Sequence, residues 1–184
     1  MFLFNKTNIE GVYIIEPKIF GDNRGYFMET YNEKDFKNAG LNYNFVQDNQ
    51  SKSKKGVLRG LHFQRKYPQA KLVRVLEGEV FDVAVDLRKN SPTYGKWVGV
   101  VLSTENKKQF MIPRGFAHGF VVLSEEATFA YKCDEFYHPE DEGGIMWNDL
   151  DLNIKWPYQG EPILSEKDKH HLSFKDIKVG DFNE

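Results

Sequence analysis

A single cysteine, Cys133, stands among 184 residues. An internal disulfide is therefore impossible, as is any multi-cysteine zinc or iron–sulfur site. The chain also lacks an excess of either charge: 25 Lys and Arg against 27 Asp and Glu leave a formal charge of −2. A general nucleic-acid binder or anionic-membrane binder needs a net basic field, so neither nucleic acid nor membrane is expected as a partner. No apolar run approaches the length of a membrane span. The apolar start Met1–Phe4 gives way to Asn5 and Lys6, too soon for the core of a secretory signal. A soluble protein of the reducing cytoplasm is the expectation. Also missing are the phosphate-cradling patterns Gly-x-x-x-x-Gly-Lys-Ser/Thr and Gly-x-Gly-x-x-Gly, and the Gly-x-Ser-x-Gly nucleophile elbow. No linker, low-complexity stretch or fixed-period repeat interrupts the chain, and its length suits one domain spanning 1–184.

What is present is a string of short strand signals. Residues 11–16, 25–31, 58–64, 71–76, 79–87, 97–102, 109–112, 116–123 and 127–137 are rich in β-branched and aromatic side chains and bounded by turn residues. The stretch 79–87 alternates, with Phe81, Val83, Val85 and Leu87 on one face and Val80, Asp82, Ala84 and Asp86 on the other. Gly78 marks a tight turn before it, and the cluster Ser91-Pro92-Thr93-Tyr94-Gly95 a turn after it. One helix is predicted over 32–39, with Asn32 as cap and Gly40 as stop. Ser165-Glu166-Lys167-Asp168 opens a short terminal helix in the manner of a capping box. Strand signals at this spacing predict a mainly β fold, a sandwich or barrel with its core at about 45–140 and short helices at the periphery.

Four segments carry candidate chemistry. In Leu58-Arg59-Gly60-Leu61-His62-Phe63-Gln64, alternation points His62 and Gln64 the same way as Gly60, whose missing side chain leaves room for a ligand or marks a bulge. The same alternation sends Arg59 to the opposite face. His62 also reads as a hydrogen-bonded core histidine. In the strand at 71–76, Lys71 shares a face with Val73 and Val75, and Arg74 with Leu72 and Leu76. One of the two cations must point inward, which is costly unless it serves an anion or a developing negative charge, or else the strand lies at an edge where both reach water. A Pro113-x-Gly115 turn leads into a strand carrying His118 between Phe116 and Phe120, where a packed histidine is an equal reading. Tyr131 shares a face with Phe129 and Cys133; a phenol in an apolar pocket can move a proton, although most buried tyrosines only hydrogen-bond. Cys133 carries no nucleophile signature and reads as a small buried hydrophobe.

Two of these segments resemble the two motifs of the cupin superfamily. Pro113-x-Gly115-x-x-His118 matches the second; at the first, His62, Gln64, Lys71 and Gly78 stand where a metal cupin has His, His, Glu and Gly. An ammonium repels a cation, so the scaffold is implied and a metal is argued against. More specifically, the chain resembles the dTDP-4-dehydrorhamnose 3,5-epimerase family from near its start to Asp168. The resemblance rests on residues 22–29, 45–49, 71–75 and 82–88, together with Gly56-Val57-Leu58-Arg59-Gly60-Leu61-His62, Gly115-Phe116-Ala117-His118-Gly119-Phe120 and Ser165-Glu166-Lys167-Asp168.

That resemblance implies inversion of carbons 3 and 5 of dTDP-4-keto-6-deoxyglucose, without cofactor or metal, by a homodimer whose N-terminal strands reach the partner's pocket. Epimerisation beside a ketone needs a base on one face, an acid on the other and positive charge at the carbonyl oxygen. His62 is the implied base, oriented by Asp168, with Asp82 as an alternative orienter; Lys71 is the electrophile and Tyr131 the acid. His118 falls at a substrate-binding position, and Arg24 and Arg59 suit a diphosphate. Glu29, Gln47, Asp48, Asn49, Glu142 and Lys167 fall at further binding positions. The competing readings are a single-centre epimerase of a related 4-keto nucleotide sugar, a metal-dependent cupin, and a non-catalytic nucleotide-sugar or carbohydrate binder. The tail from Lys169 onward matches nothing, and His170 and His171 lack a further metal ligand in sequence.

Overall fold

The computed structural model describes residues 1–178. In chain order the strands are β1 (Phe2–Lys6), β2 (Tyr13–Pro17), β3 (Ile19–Asp22), β4 (Gly25–Met28), β5 (Gln47–Lys54), β6 (Leu58–Gln64), β7 (Lys71–Glu77), β8 (Glu79–Asp86), β9 (Trp97–Ser103), β10 (Gln109–Ile112), β11 (Phe116–Val122), β12 (Glu126–Cys133) and β13 (Glu142–Gly144). The one α-helix among the described residues is α1 (Glu33–Asn38). One sheet has the order β1-β2-β10-β7-β12-β5, a second β13-β6-β11-β8-β9, and β3 and β4 form a separate hairpin. Neighbours within each sheet run antiparallel. The fold is thus a jelly-roll-like sandwich of two open sheets; their ladders do not close into a hydrogen-bonded barrel.

The alternation of β8 explains the layering. Its Val80 and Ala84 join Val73, Val75, Phe110, Phe120 and Phe129 in the core between the sheets. Its Val83 and Val85 turn outward, where the C-terminal segment covers them with Leu152, Ile154 and Trp156. The outer face of the first sheet is covered in turn by α1, whose Phe36 packs on Ile15, Leu72 and Met111. The Asn32 side chain accepts the Asp35 N–H at 3.2 Å, and Gly40 leaves the helix at φ +83°, as cap and stop were read.

Several element boundaries differ from the expectation. The strand predicted to reach Tyr137 ends at Cys133, because the Asp134 carboxylate accepts the Ala70 N–H at 2.6 Å and Arg114 Nε at 2.8 Å and turns the chain. The strand predicted over 25–31 ends at Met28, as one arm of the β3–β4 hairpin. The terminal helix is a single 3-10 turn, Asp168–His170, with Ser165 Oγ accepting the Asp168 N–H. Four strands, β1, β3, β5 and β13, lie outside the segments expected from the sequence. β1 was passed over as an apolar start, and β5 reads Gln-Asp-Asn-Gln-Ser-Lys-Ser-Lys, with no apolar residue to show a period. β5 is polar on both faces: Asn49 and Ser51 line the cavity, and the other face meets solvent.

The pairing of β6 with β11 decides where the functional side chains point. His62 opposes His118 and Arg59 opposes Phe120, so Gly60 and Leu61 together face the single residue Gly119. This bulge resets the alternation and brings Arg59 and His62 to the same side. It depends on glycine twice. A Cβ on Gly60 would lie 2.5 Å from Gly119 Cα, and one on Gly119 would lie 2.7 Å from the Arg59 carbonyl oxygen. Gly60 also sits at φ +134°, where other residues are strained. Gly60→Ala is expected to lower the unfolding free energy by about 1–3 kcal/mol in urea titrations. Gly21→Ala, whose Cβ would meet its nearest neighbour at an ordinary 3.6 Å, should stay within about 0.5 kcal/mol of wild type. Equal effects of the two would remove the Gly60–Gly119 contact as the determinant of the bulge.

Candidate active site

A cavity of about 460 Å³ opens between the two sheets. Asn49 of β5, Arg59 and His62 of β6, Lys71 of β7, His118 of β11 and Tyr131 of β12 all line it. Phe120 and Phe129, stacked at 4.2 Å, form part of its apolar wall, and a strap at 163–168 closes one side. Of the two cations on β7, Lys71 faces the cavity. Arg74 faces a separate depression beside Thr30, Asp48 and Gln109. Burial lowers the Lys71 pKa, against the carboxyl groups of Glu142 and Asp82 that favour its charge.

The His62 ring is held by a carboxylate. Its Nε2 lies 2.5 Å from Asp168 Oδ1, so Nε2 carries the donated proton and Nδ1 is left bare, 3.9 Å from Glu142 Oε1. A second imidazole, His171, places its Nε2 3.1 Å from the same Asp168 oxygen. Burial by itself would raise the Asp168 pKa. The hydrogen bonds from His171 and His62 override it and hold the carboxyl well below the usual carboxylate range. Asp168 is therefore ionised at neutral pH.

His118 forms its own pair. Its Nε2 sits 2.9 and 3.0 Å from the two oxygens of Asp82, and both residues are buried. Burial pushes the His118 pKa down and the Asp82 pKa up. Asp82 therefore does not orient His62, contrary to the alternative expectation. The reason is the strand order: β11 stands between β6 and β8, and its His118 intercepts the carboxylate.

On the opposite sheet, burial raises the Tyr131 pKa to about 12, so the phenol keeps its proton across the neutral range. Cys133 is fully buried, and burial pushes its thiol up to about 11. Arg59 stands at the cavity mouth with Nε donating to Ser53 Oγ at 3.1 Å. Lys167 pairs with Glu142, which also accepts the Tyr137 hydroxyl at 2.7 Å. Gln47 donates to Asn49 Oδ1 at 3.1 Å.

Five of the expected binding residues, Arg24, Glu29, Gln47, Asp48 and Glu142, do not line this cavity, although Glu142 Oε1 comes within 3.9 Å of His62 Nδ1. Asp48 points to the far side of β5 and pairs with Lys132 at 2.9 Å. Arg24 is 85% exposed at the hairpin tip, paired with Asp22, and Glu29 accepts from Asn32 Nδ2. One participant went unread: His171 sits three positions after Asp168 across a 3-10 turn, a spacing that carries no metal or catalytic signature. Among the described residues, His62, Asp168 and His171 form a group whose donor atoms all lie within 4.8 Å of one another, a set that suits a divalent transition ion by type. Each donor is already engaged with another member, so a cation would displace the protons that join them.

A bare imidazole nitrogen, a lysine amino group and a protonated phenol around one cavity can remove a proton, stabilise an oxyanion and return a proton. Comparison with known proteins bears on which reaction this is. A family model described as dTDP-4-dehydrorhamnose 3,5-epimerase matches residues 6–176. The dTDP-4-dehydrorhamnose 3,5-epimerase of Methanothermobacter thermautotrophicus is 60% identical over 180 residues, 97% of this chain and 97% of its own. That of Shigella flexneri is 61% identical over 173 residues, 93% of this chain and 95% of its own. The crystal structure of a dTDP-6-deoxy-D-glucose-3,5-epimerase from Legionella pneumophila, in complex with dTDP-4-keto-L-rhamnose, superposes with a TM-score of 0.94 at 54% identity, covering 97% of this chain and 95% of that one.

The carboxyl held low in the fold makes a pH prediction. Asp168 titrates lower folded than unfolded, so it adds stability that is complete above about pH 4 and is lost as the pH falls from there towards the folded value. Asp168→Asn should lower the unfolding free energy at neutral pH by about 1–3 kcal/mol and remove this share of the acid-side decline. Urea unfolding at stepped pH measures both. An Asn variant with an undiminished decline would mean that the two imidazoles do not hold the carboxylate ionised.

Proposed function

The chain belongs to the dTDP-4-dehydrorhamnose 3,5-epimerase family, and on that footing we propose how its cavity inverts carbons 3 and 5 of dTDP-4-keto-6-deoxy-D-glucose to give dTDP-4-keto-L-rhamnose. The observation that carries the mechanism is the placement of His62 and Tyr131 on different sheets, facing one cavity with Lys71 beside them. Inversion requires the proton to leave one face of the carbon and return on the other. A base and an acid on opposite walls meet that requirement.

In this reading His62 Nδ1 takes the proton α to the carbonyl. Ionised Asp168 holds the tautomer and stabilises the imidazolium that forms. Lys71 Nζ meets the oxygen on which charge develops, and one such donor in a water-poor site lowers a barrier by roughly 3–4 kcal/mol. Tyr131 returns a proton from the opposite wall. The buried His118–Asp82 pair, with Nε2–H donating to the carboxylate, leaves Nδ1 free to accept from a sugar hydroxyl. Arg59 and Lys167 at the mouth suit the diphosphate, while Asn49 lines the cavity and Gln47 and Glu142 adjoin its lining residues. No step calls on a metal or cofactor.

The β3–β4 hairpin supports a homodimer. It exposes Tyr26 at 57% and Phe27 at 64%, and it carries Arg24 free of the cavity of its own chain. In this reading the hairpin docks on a second copy and brings Arg24 and Glu29 towards that copy's cavity, beside its outward-facing Asp48. The absence, among the described residues, of a helix long and apolar enough to cross a membrane, together with the single protonated thiol, fits a cytoplasmic place on the route to dTDP-L-rhamnose.

Turnover in heavy water tests the chemistry. Label at both carbon 3 and carbon 5 is expected. His62→Ala should lose about 10²–10⁴-fold in turnover while still binding dTDP. Label at one carbon would leave a single-centre epimerase, and no label with dTDP bound would leave a binding pocket. Light scattering should give a mass twice the 21.5 kDa of one chain; a monomer of full activity would remove Arg24 from the site.

A further inference from the structure

We propose that His171 is a positioning residue for turnover: its Nε2–H holds the Asp168 carboxylate at the angle from which that carboxylate orients His62. The inference rests on the reading of His62 as base and goes beyond it to a residue that does not line the cavity.

Three observations converge on His171. Its Nε2 shares Asp168 Oδ1 with His62 Nε2, at 3.1 and 2.5 Å, and the two rings meet edge to face at 5.5 Å. The His171 and Asp168 side chains are 8% and 4% exposed, so water does not compete for the bond. The ring also has a built seat. A Cβ on Gly144 would lie 2.2 Å from His171 Cε1, and so only glycine leaves room for it there. The backbone on either side is pinned: the Met146 N–H donates to the Leu172 carbonyl at 2.9 Å, and Ile145 bridges Leu172 in parallel.

The chemistry follows from the carboxylate's freedom. Asp168 lies on a single 3-10 turn at the end of the strap rather than on a sheet. One hydrogen bond to His62 fixes a distance but leaves the carboxylate free to rotate about its Cβ–Cγ bond. A second donor from a ring seated against β13 fixes that rotation. β13 itself pairs with β6, with Gly144 opposite His62. The base and its orienter are thus tied to the same strand pair, one directly and the other through His171.

The test compares His171→Leu, which removes the donor, with His171→Gln, whose amide nitrogen can stand where Nε2 stood. His62→Asn serves as control, and kcat, KM, dTDP affinity and thermal unfolding are measured for each. His171→Leu is expected to lose about tenfold or more in kcat with KM and dTDP affinity within about twofold, and His171→Gln to recover most of the loss. Wild-type kcat in His171→Leu overturns the inference, as does an equal fall in the Leu and Gln variants. Full turnover in His62→Asn overturns the base reading first, whereas a dead His62→Asn beside an unimpaired His171→Leu overturns this inference alone. Should His171→Leu fail to fold, ring nitrogen NMR of the unaltered protein decides: Nε2 protonated on both His62 and His171 supports the proposal, and a His171 ring protonated at Nδ1 with a bare Nε2 overturns it.

Discussion

The contact between Gly60 and Gly119 is the constraint on which the site rests. Two backbones approach there with no side chain between them, and the extra residue accommodated in β6 shifts its register against β11. Regular pairing would send Arg59 and His62 to opposite faces. With the bulge, one strand supplies the imidazole in the cavity and the guanidinium at its mouth, while Leu61 and Phe63 still fill the outer core. A local irregularity of this kind costs stability and is kept only where surrounding packing determines it. Here Val83, Val85 and Ile145 supply that packing.

The cavity also has to keep charge between two apolar layers. It does so by pairing. His118 is matched to Asp82, His62 and His171 to Asp168, and Glu142 to Lys167 and Tyr137, so each buried carboxylate has a donor from another element. Lys71 stands apart from these pairs, with its amino group facing the cavity. Burial has opposite consequences for neighbours on the same wall: it keeps Tyr131 and Cys133 protonated and it works against the Lys71 ammonium. An anionic oxygen arriving in the cavity would relieve the last of these, which is the electrostatic condition for an enolate to form there.

Much of this arrangement was legible in the residues themselves. Asn32 and Gly40 bound the helix as their chemistry dictates, and the two faces of β8 were separable by alternation alone. The choice between Lys71 and Arg74 was not, since alternation says that one cation points inward without saying which. β5 escaped because a strand with a polar cavity on one side and solvent on the other, at a sheet edge, has no apolar period to detect. His171 escaped for a different reason. Its partnership with Asp168 is made by a short turn, and its approach to His62 by a glycine in β13, so three distant segments must be folded before the residue has a role. The Gly60 bulge sits between these cases: the glycine was visible as a site of room or irregularity, but the shift of register exists only in the pairing with β11.

The polar strand β5 has an effect beyond the cavity. It ends the first sheet, so one row of its backbone groups has no partner strand among the described residues. A flat apolar strand in that position would be a template for adding a strand from another molecule. Asp48, Gln50, Lys52 and Lys54 project from its outward face instead, with Lys52 held by Glu77 and Glu126, so an added strand would have to cover a row of charged and polar groups. The composition that suits the strand to a polar cavity thus also guards the protein against edge-to-edge polymerisation at high concentration.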